Sequence, residues 1–322
     1  MDRRRLTGIA LILASAAGFG SGALFAQPVY AAGVDWLVLS AWRFLFGAAL
    51  TWGWLLISPD RRRGLRRLGR RTVIVTIALG VMYVGNSGSY YAGLESVSPS
   101  LAALIVFVYP ALVAVLSLRF GRRLEGRRAW FALGVALVGV ALSLGGIDPS
   151  DAPPLDGLLL VIASPVIYSF WIVLAARLSG EREDVVGDQA REGASAAAAT
   201  ALMMTATACV YWTAALTTGG EVLPGAVPGE AWFGMVGVGV LSTFVAIQAF
   251  YAGAQRVGAA QAALISTVEP IYTIVLAAIL FSVALTPLQL AGGALILGGV
   301  VIAQTGPAAA RARQPAVRVA DE

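Results

Sequence analysis

Residues 90–116, YYAGLESVSPSLAALIVFVYPALVAVL, align without a gap on residues 250–276, FYAGAQRVGAAQAALISTVEPIYTIVL. Twelve of the 27 positions are identical, among them Tyr91/Tyr251, Gly93/Gly253, Ala102/Ala262, Leu104/Leu264 and Pro110/Pro270. The same offset of 160 residues later pairs Gly139-Val140 with Gly299-Val300. Chance likeness between two Ala/Leu/Val-rich segments does not place Tyr, Gly and Pro at fixed spacing through an intervening loop. The chain is a tandem duplication.

Composition says what has been duplicated. Of 322 residues, 58% are hydrophobic and 13% charged, whereas a soluble domain is about 25% charged. An α-helical membrane span needs about 20 mostly apolar residues, and ten stretches qualify: 6–26, 36–57, 72–93, 99–117, 129–146, 157–176, 194–216, 232–252, 258–281 and 287–305. Their apolar runs are continuous rather than alternating, so they predict helices and not barrel strands. A helix also satisfies its own backbone groups, which lipid cannot do. The first stretch, behind MDRRR, is 21 residues long. A signal peptide's apolar region is about 7–15 residues, so this one reads as a retained span.

Arginine placement orients the spans. With the N-terminus inside, inside segments hold Arg3 to Arg5, seven Arg in 61–71, five in 119–128, three in 177–193, Arg256 and three in 306–322. That is 22 of the 23 basic residues, and the outside loops hold only acids: Asp35, Glu95, Asp148, Asp151, Asp156, Glu221 and Glu230. The run RRRGLRRLGRR at 61–71 therefore reads as a topology anchor touching anionic lipid, and nucleic acid is not an expected partner. Ten spans in two units of five force the second unit upside down relative to the first. The expected fold is an all-α membrane protein of ten transmembrane helices in two inverted five-helix repeats, 1–150 and 151–305. A disordered cytoplasmic tail follows at 306–322, and the loop ARLSGEREDVVGDQARE joins the halves.

Several function classes drop out. The chain has no His and the spans no Asp, which removes an intramembrane enzyme built on paired acids, an imidazole or a metal cluster. No Gly-rich nucleotide loop with a lysine is present, so an ATP-driven pump is unsupported. No cofactor or metal is expected. A channel would show a ring of repeated filter residues, and none is seen; a passive channel or lipid scramblase stays as the weaker alternative. Inverted repeats are an architecture of secondary transporters, with the site near the midplane between the halves.

The repeat, AWRFLFGAAL (41–50), LISTVEPIYTIVLAAILF (264–281) and LAGGALILGGVVIA (290–303) resemble the EamA branch of the drug/metabolite transporter superfamily across nearly the whole chain. The resemblance implies a ten-helix carrier of the bacterial cytoplasmic membrane with both termini cytoplasmic, often an exporter of amino acids or related metabolites. The Glu-Pro pair 269–270 is similar to that of the family's amino-acid exporters. The family's Gly-Glu pair after the fourth and ninth spans is missing; Gly121-Arg122 and Ser282-Val283 stand there. Multidrug efflux is the competing substrate reading. The expected partners are a small-molecule substrate and the lipid bilayer, with a homodimer left open.

Charges inside a bilayer are costly and mark function by default. Only Arg43 and Glu269 occur. At ~1.5 Å per residue, Arg43 lies roughly 10 Å below the outer end of its span and Glu269 roughly 16 Å above the inner end of its own. Glu269 reads as a proton or substrate-amine site. Arg43 reads as its counter-ion, as the anchor of a substrate carboxylate, or as a residue snorkelling to the outer headgroups. Pro110 and Pro270 occupy equivalent mid-span positions. Paired interruptions of this kind point to a transport site; a packing kink is the plainer reading. Tyr109 is the repeat equivalent of Glu269. Asn86, Tyr83, Tyr168, Trp171, Gln248 and Ser266 are candidates to line the cavity, with Tyr272 near them, while Tyr90 and Tyr91 read as members of the outer aromatic belt. Gly18, Gly22, Gly292 and Gly293 read as close-packing positions and Cys209 as an inert buried residue.

Overall fold

The computed structural model describes residues 3–93, 96–97, 102, 105–120, 126–143, 154–178, 189–281 and 287–304, and among them the regular structure is all helix, with no strand. The helices are α1 (Arg3–Ala31), α2 (Trp36–Ile57), α3 (Pro59–Arg66), α4 (Arg70–Gly93), α5 (Tyr109–Phe120), α6 (Gly126–Ser143), α7 (Leu155–Leu178) and α8 (Gln189–Thr217). They continue as α9 (Ala231–Val257), α10 (Ala259–Ser266), α11 (Glu269–Phe281) and α12 (Pro287–Gln304). The expected tail 306–322, the motif positions 121–122 and 282–283, and most of the loop joining the halves lie outside the described residues.

Five helices, α1, α4, α7, α8 and α9, are long and apolar enough to cross a membrane, and the 12-residue α5 and Leu290–Ile302 of α12 are shorter apolar helices. The 22-residue α2 carries Arg43 as its only charge, with Ser40 and Thr51 its other polar residues. Local chemistry sets its start: Asp35 caps it, its Oδ1 accepting from the amides of Leu37 at 2.7 Å and Val38 at 2.8 Å, groups with no partner inside the helix. The basic run 61–71 supplies most of α3 and the turn after it, and Leu65 of α3 and Leu68 of the turn dock on Leu55, Ala197, Ala198 and Ala201. Arg61 stacks 4.0 Å over the Trp54 ring and donates to the Trp54 carbonyl at 2.7 Å.

Glycines decide how the helices meet, since a missing Cβ lets two backbones touch. A Cβ on Gly139 of α6 would fall 2.7 Å from the Gly292 carbonyl and 2.8 Å from the Ile296 amide of α12. One on Gly299 would fall 2.7 Å from the Ala132 carbonyl and 3.0 Å from the Ala136 amide of α6. The pairs are reciprocal under the 160-residue offset: 132 maps to 292, 136 to 296 and 139 to 299. Because 139 meets 292–296 while 299 meets 132–136, α6 and α12 cross antiparallel.

A second reciprocal contact uses a different offset. Gly253 of α9 lies against the Ile12 side chain and the Gly8 carbonyl of α1. Gly93 of α4 lies in the same way against the Val161 side chain and the Gly157 carbonyl of α7. Gly8 in turn meets Arg256 and Val257, as Gly157 meets Ser96 and Val97. Positions 8 and 12 thus correspond to 157 and 161, an offset of 149.

The middle of α9, Val238–Val245, is wound as a π-helix, with Thr243 Oγ1 donating to the Val238 carbonyl five residues back at 3.0 Å. This widened stretch is wedged between α1 and α2. Gly18 faces the Leu241 carbonyl, Gly22 faces Ser242, and Gly47 faces Thr243. Such segments occur mostly as single-turn bulges and often at functional sites. Cys209 does not behave as expected: its side chain is exposed on the outer face of α8.

Candidate functional site

The expected spans 99–117 and 258–281 are each broken by a turn. In the second, α10 ends at Ser266, Thr267 and Val268 turn, and α11 begins at Glu269. In the first, Phe107 and Val108 turn and α5 begins at Tyr109. The hydrogen bonds match position for position. The Val268 amide donates to the Ile265 carbonyl at 3.2 Å and that of Tyr272 to Val268 at 3.2 Å; Val108 donates to Ile105 at 3.2 Å and Leu112 to Val108 at 3.3 Å. Proline is the physical cause. Pro110 and Pro270 have no N–H to give the carbonyls of Val106 and Ser266, and the ring crowds those carbonyls. The chain therefore tightens into an i→i+3 turn and restarts as a new helix one residue before the proline.

Glu269 thus sits in the first turn of a half-helix, where the backbone N–H groups favour an anion. It is half-buried, and its carboxylate makes no hydrogen bond or ion pair among the described residues. The phenols of Tyr109, Tyr168, Tyr83 and Tyr90 stand within electrostatic reach of it. On the other side Thr273 Oγ1 lies 3.1 Å from the Glu269 carbonyl and 3.2 Å from that of Gly20. Gly20, rather than Gly18 or Gly22, is where α1 meets the break. Tyr272 reaches α1 as well, its hydroxyl 3.2 Å from Ser21 Oγ.

From the break a wall of rings runs through the interior. Tyr109 meets Tyr168 at 5.0 Å, Tyr168 stacks on Trp171 at 5.9 Å, and Trp171 meets Tyr83 at 5.0 Å. Tyr83 lies edge-on to Phe44 at 5.9 Å, and Phe44 stacks on Tyr211 at 5.4 Å. Hydrogen bonds hold the wall in place: Trp171 Nε1 donates to the Leu79 carbonyl at 3.1 Å, and Tyr211 is bonded to Ser87 Oγ. Asn86, on the same helix, accepts at Oδ1 from Ser164 Oγ at 2.9 Å, which ties α4 to α7. Ser266 is buried and bonds back to the Ala262 carbonyl at 3.0 Å, within reach of the Tyr109 hydroxyl. Gln248 is half-buried with Nε2 enclosed and without a hydrogen-bond partner.

At the far end of the wall stands Arg43, with only 3% of its surface exposed. This burial removes the snorkelling alternative. Its guanidinium carbon lies 4.6 Å from the Phe44 ring centre and 4.7 Å from that of Tyr91. It forms no ion pair with Glu269 among the described residues, so the counter-ion reading is not realised here; Tyr83 stands within electrostatic reach of both charges. Tyr91 is a correction to the belt assignment. It is 8% exposed and covers Arg43, while Tyr90 is half-buried and packs edge-on against it at 5.4 Å. Phe44, Tyr211 and Phe250, the last with its ring 6.3 Å from that of Tyr168, are not marked in the sequence, because aromatic residues in apolar helices carry no periodic signal that separates a site from a core.

Beside the wall is a small cavity lined by Phe44, Tyr83, Trp171, Met203, Met204, Thr207 and Ile247. About 10 Å³ of it is open to the centre of a water molecule, room for about one water. The described residues hold no cluster of His, Cys, Asp or Glu fit to bind a metal.

Comparison with known proteins accords with this geometry. The model of the EamA-like transporter family matches twice, over residues 6–145 and 155–305. An Archaeoglobus fulgidus protein named "Uncharacterized transporter" is 28% identical over 298 residues, covering 92% of this chain and 96% of the relative. The Bacillus subtilis "Uncharacterized transporter YcbK" is 25% identical over 218 residues, which span 67% of this chain and 65% of that relative. A protein of known crystal structure superposes with a TM-score of 0.73 at 20% identity, over 95% of this chain and 99% of that one, and so shares its fold. With a family unit matched in each half, the chain belongs to the EamA-like transporter family, membrane transporters of small molecules rather than enzymes.

Proposed function

We propose that the protein is a secondary carrier that exports small metabolites, amino acids among them, across the bacterial cytoplasmic membrane by alternating access. In this reading ten spans form two five-span units, 1–150 and 151–305, of opposite orientation, with both termini in the cytoplasm. The observation that carries it is the matched pair of half-helices beginning at Tyr109 and Glu269. Broken helices in corresponding positions of two repeats are where carriers of this architecture hold substrate and coupling ion. The antiparallel crossing of α6 and α12 supports the inversion. Two copies of one helix that meet reciprocally and antiparallel are related by a two-fold axis perpendicular to both, hence lying in the membrane plane. The tight core supports a carrier over an open channel.

Glu269 is the coupling residue of this proposal. It is the sole acid of the spans, it has no counter-charge among the described residues, and it retains accessible surface at the break, so protonation and substrate amine compete for one carboxylate. Glu269→Gln keeps the shape and removes the charge. In proteoliposomes the variant loses saturable counterflow, or the pH dependence of flux, while still eluting as a folded protein. Flux that keeps its pH dependence in the variant refutes the role.

A further inference from the structure

The interior holds a cation that no described residue neutralises. Arg43 is only 3% exposed, and Nε and Nη1 are enclosed with no hydrogen-bond partner. Burying an ion without a counter-charge is among the most costly things a protein does, so the absence of a partner needs a reason. The rings of Phe44 and Tyr91 soften the cost through their quadrupoles, but a ring face accepts no hydrogen bond along the edge of the guanidinium. The phenols of Tyr83 and Tyr211 face the cation as neutral groups, and the Tyr211 hydroxyl is already committed to Ser87 and to the Val84 carbonyl. Glu269 lies elsewhere. What remains is a planar fork of donors with its charge unspent, at the end of an apolar and aromatic wall.

We infer that Arg43 is an anion subsite of the transport pathway, taking the carboxylate of a substrate whose apolar part lies along Phe44, Tyr83 and Trp171. The inference rests on the carrier reading above and adds the chemical class of one end of the substrate. A carboxylate fits because its two oxygens match two parallel N–H bonds of a guanidinium, and because the flank next to the fork offers rings rather than further donors. The cavity beside Tyr83 and Phe44 has room for about one water, so the carboxylate enters only when the helices around it part.

The test is equilibrium binding to the full-length protein in nanodiscs of neutral lipid, with sodium benzoate and benzamide as probes of equal shape. Binding is read from tryptophan fluorescence at fixed ionic strength. Wild type binds benzoate roughly 10- to 100-fold more tightly than benzamide, the range set by a charge-assisted pair. Arg43→Gln brings the two probes to one affinity, that of benzamide. Arg43→Lys keeps the charge without the fork and retains a reduced preference, which decides the matter should the glutamine variant not fold. Equal binding of both probes by wild type, or a preference that survives in Arg43→Gln, overturns the inference. So does chloride that displaces benzoate with an affinity equal to it, which marks a halide site. Glu269→Gln separates this result from the carrier reading: it stops pH-dependent counterflow and leaves the benzoate preference intact. Flux that keeps its pH dependence in Glu269→Gln beside an intact benzoate preference would instead retire the coupling role and keep the subsite.

Discussion

Alanine at Gly139 or Gly299 makes a sharp trial of the duplicated architecture. At Gly139 the new methyl falls 2.7 Å from one backbone atom of α12 and 2.8 Å from another; at Gly299 the distances to α6 are 2.7 and 3.0 Å. The opposing atoms are main chain, which cannot swing aside as a side chain would, so the two helices must separate. Overpacking of this kind costs about 1–3 kcal/mol. Because the two contacts are copies of one another, the two substitutions lower stability by similar amounts. The double variant costs less than the sum, since one separation of the pair relieves both clashes. Gly134 of α6 and Gly298 of α12 serve as controls. A Cβ there meets nothing within 4 Å, and alanine gains about 0.5–1 kcal/mol over glycine in a helix interior. Apparent melting temperature in detergent, scored by loss of the monodisperse peak, ranks the variants against wild type. If Gly298→Ala proves as damaging as its neighbour Gly299→Ala, the crossing is misplaced and the two-fold argument goes with it.

The other expectations concern the site. Pro270→Ala returns an N–H that can bond the Ser266 carbonyl, so the break at Thr267–Val268 closes into continuous helix; transport falls while melting temperature holds or rises, and unchanged flux dissociates the break from function. Tyr91→Phe keeps the ring over Arg43 and changes stability little, whereas Tyr91→Leu forfeits a cation–π contact worth about 1–2 kcal/mol when desolvated, and equal melting of the two variants shows that the ring carries no such weight.

The duplication is legible because Tyr, Gly and Pro recur at one spacing, and the paired prolines mark the break in the sequence itself. The span edges at 99–117 and 258–281 concealed it, since an apolar run reads the same whether one helix or two half-helices fill it. The gapless match begins only at residue 90 for a structural reason. Gly8 and Gly157 correspond at an offset of 149, 11 less than the 160 of the later part, so the second half carries 11 extra residues before its counterpart of Gly93. The place of Tyr91 near a span end points to the aromatic belt; only the approach of α2 to α4 turns it over Arg43. The π-helical stretch VGVLSTFV has no local signature either. It exists because Gly18, Gly22 and Gly47 let α1 and α2 close on it, a tertiary cause with no mark in its own residues.

The two halves agree in backbone and differ in chemistry, and the proposed cycle needs both. Exchange between inward- and outward-facing forms is cheap only if packing broken on one side re-forms on the other. The copied glycine crossings of α6 with α12, and of α1–α9 with α4–α7, are built for that. A carboxylate in each half would spoil the arrangement by setting two uncompensated charges in one dry core. Tyr109 in place of a second Glu269 avoids this. It keeps a polar edge and a ring at the equivalent half-helix start, and it joins the carboxylate to the wall that ends at Arg43. Introducing the missing acid, Tyr109→Glu, therefore burdens folding and removes the Tyr168 contact at once. A variant that instead folded well and transported faster would show that the asymmetry is inherited rather than required.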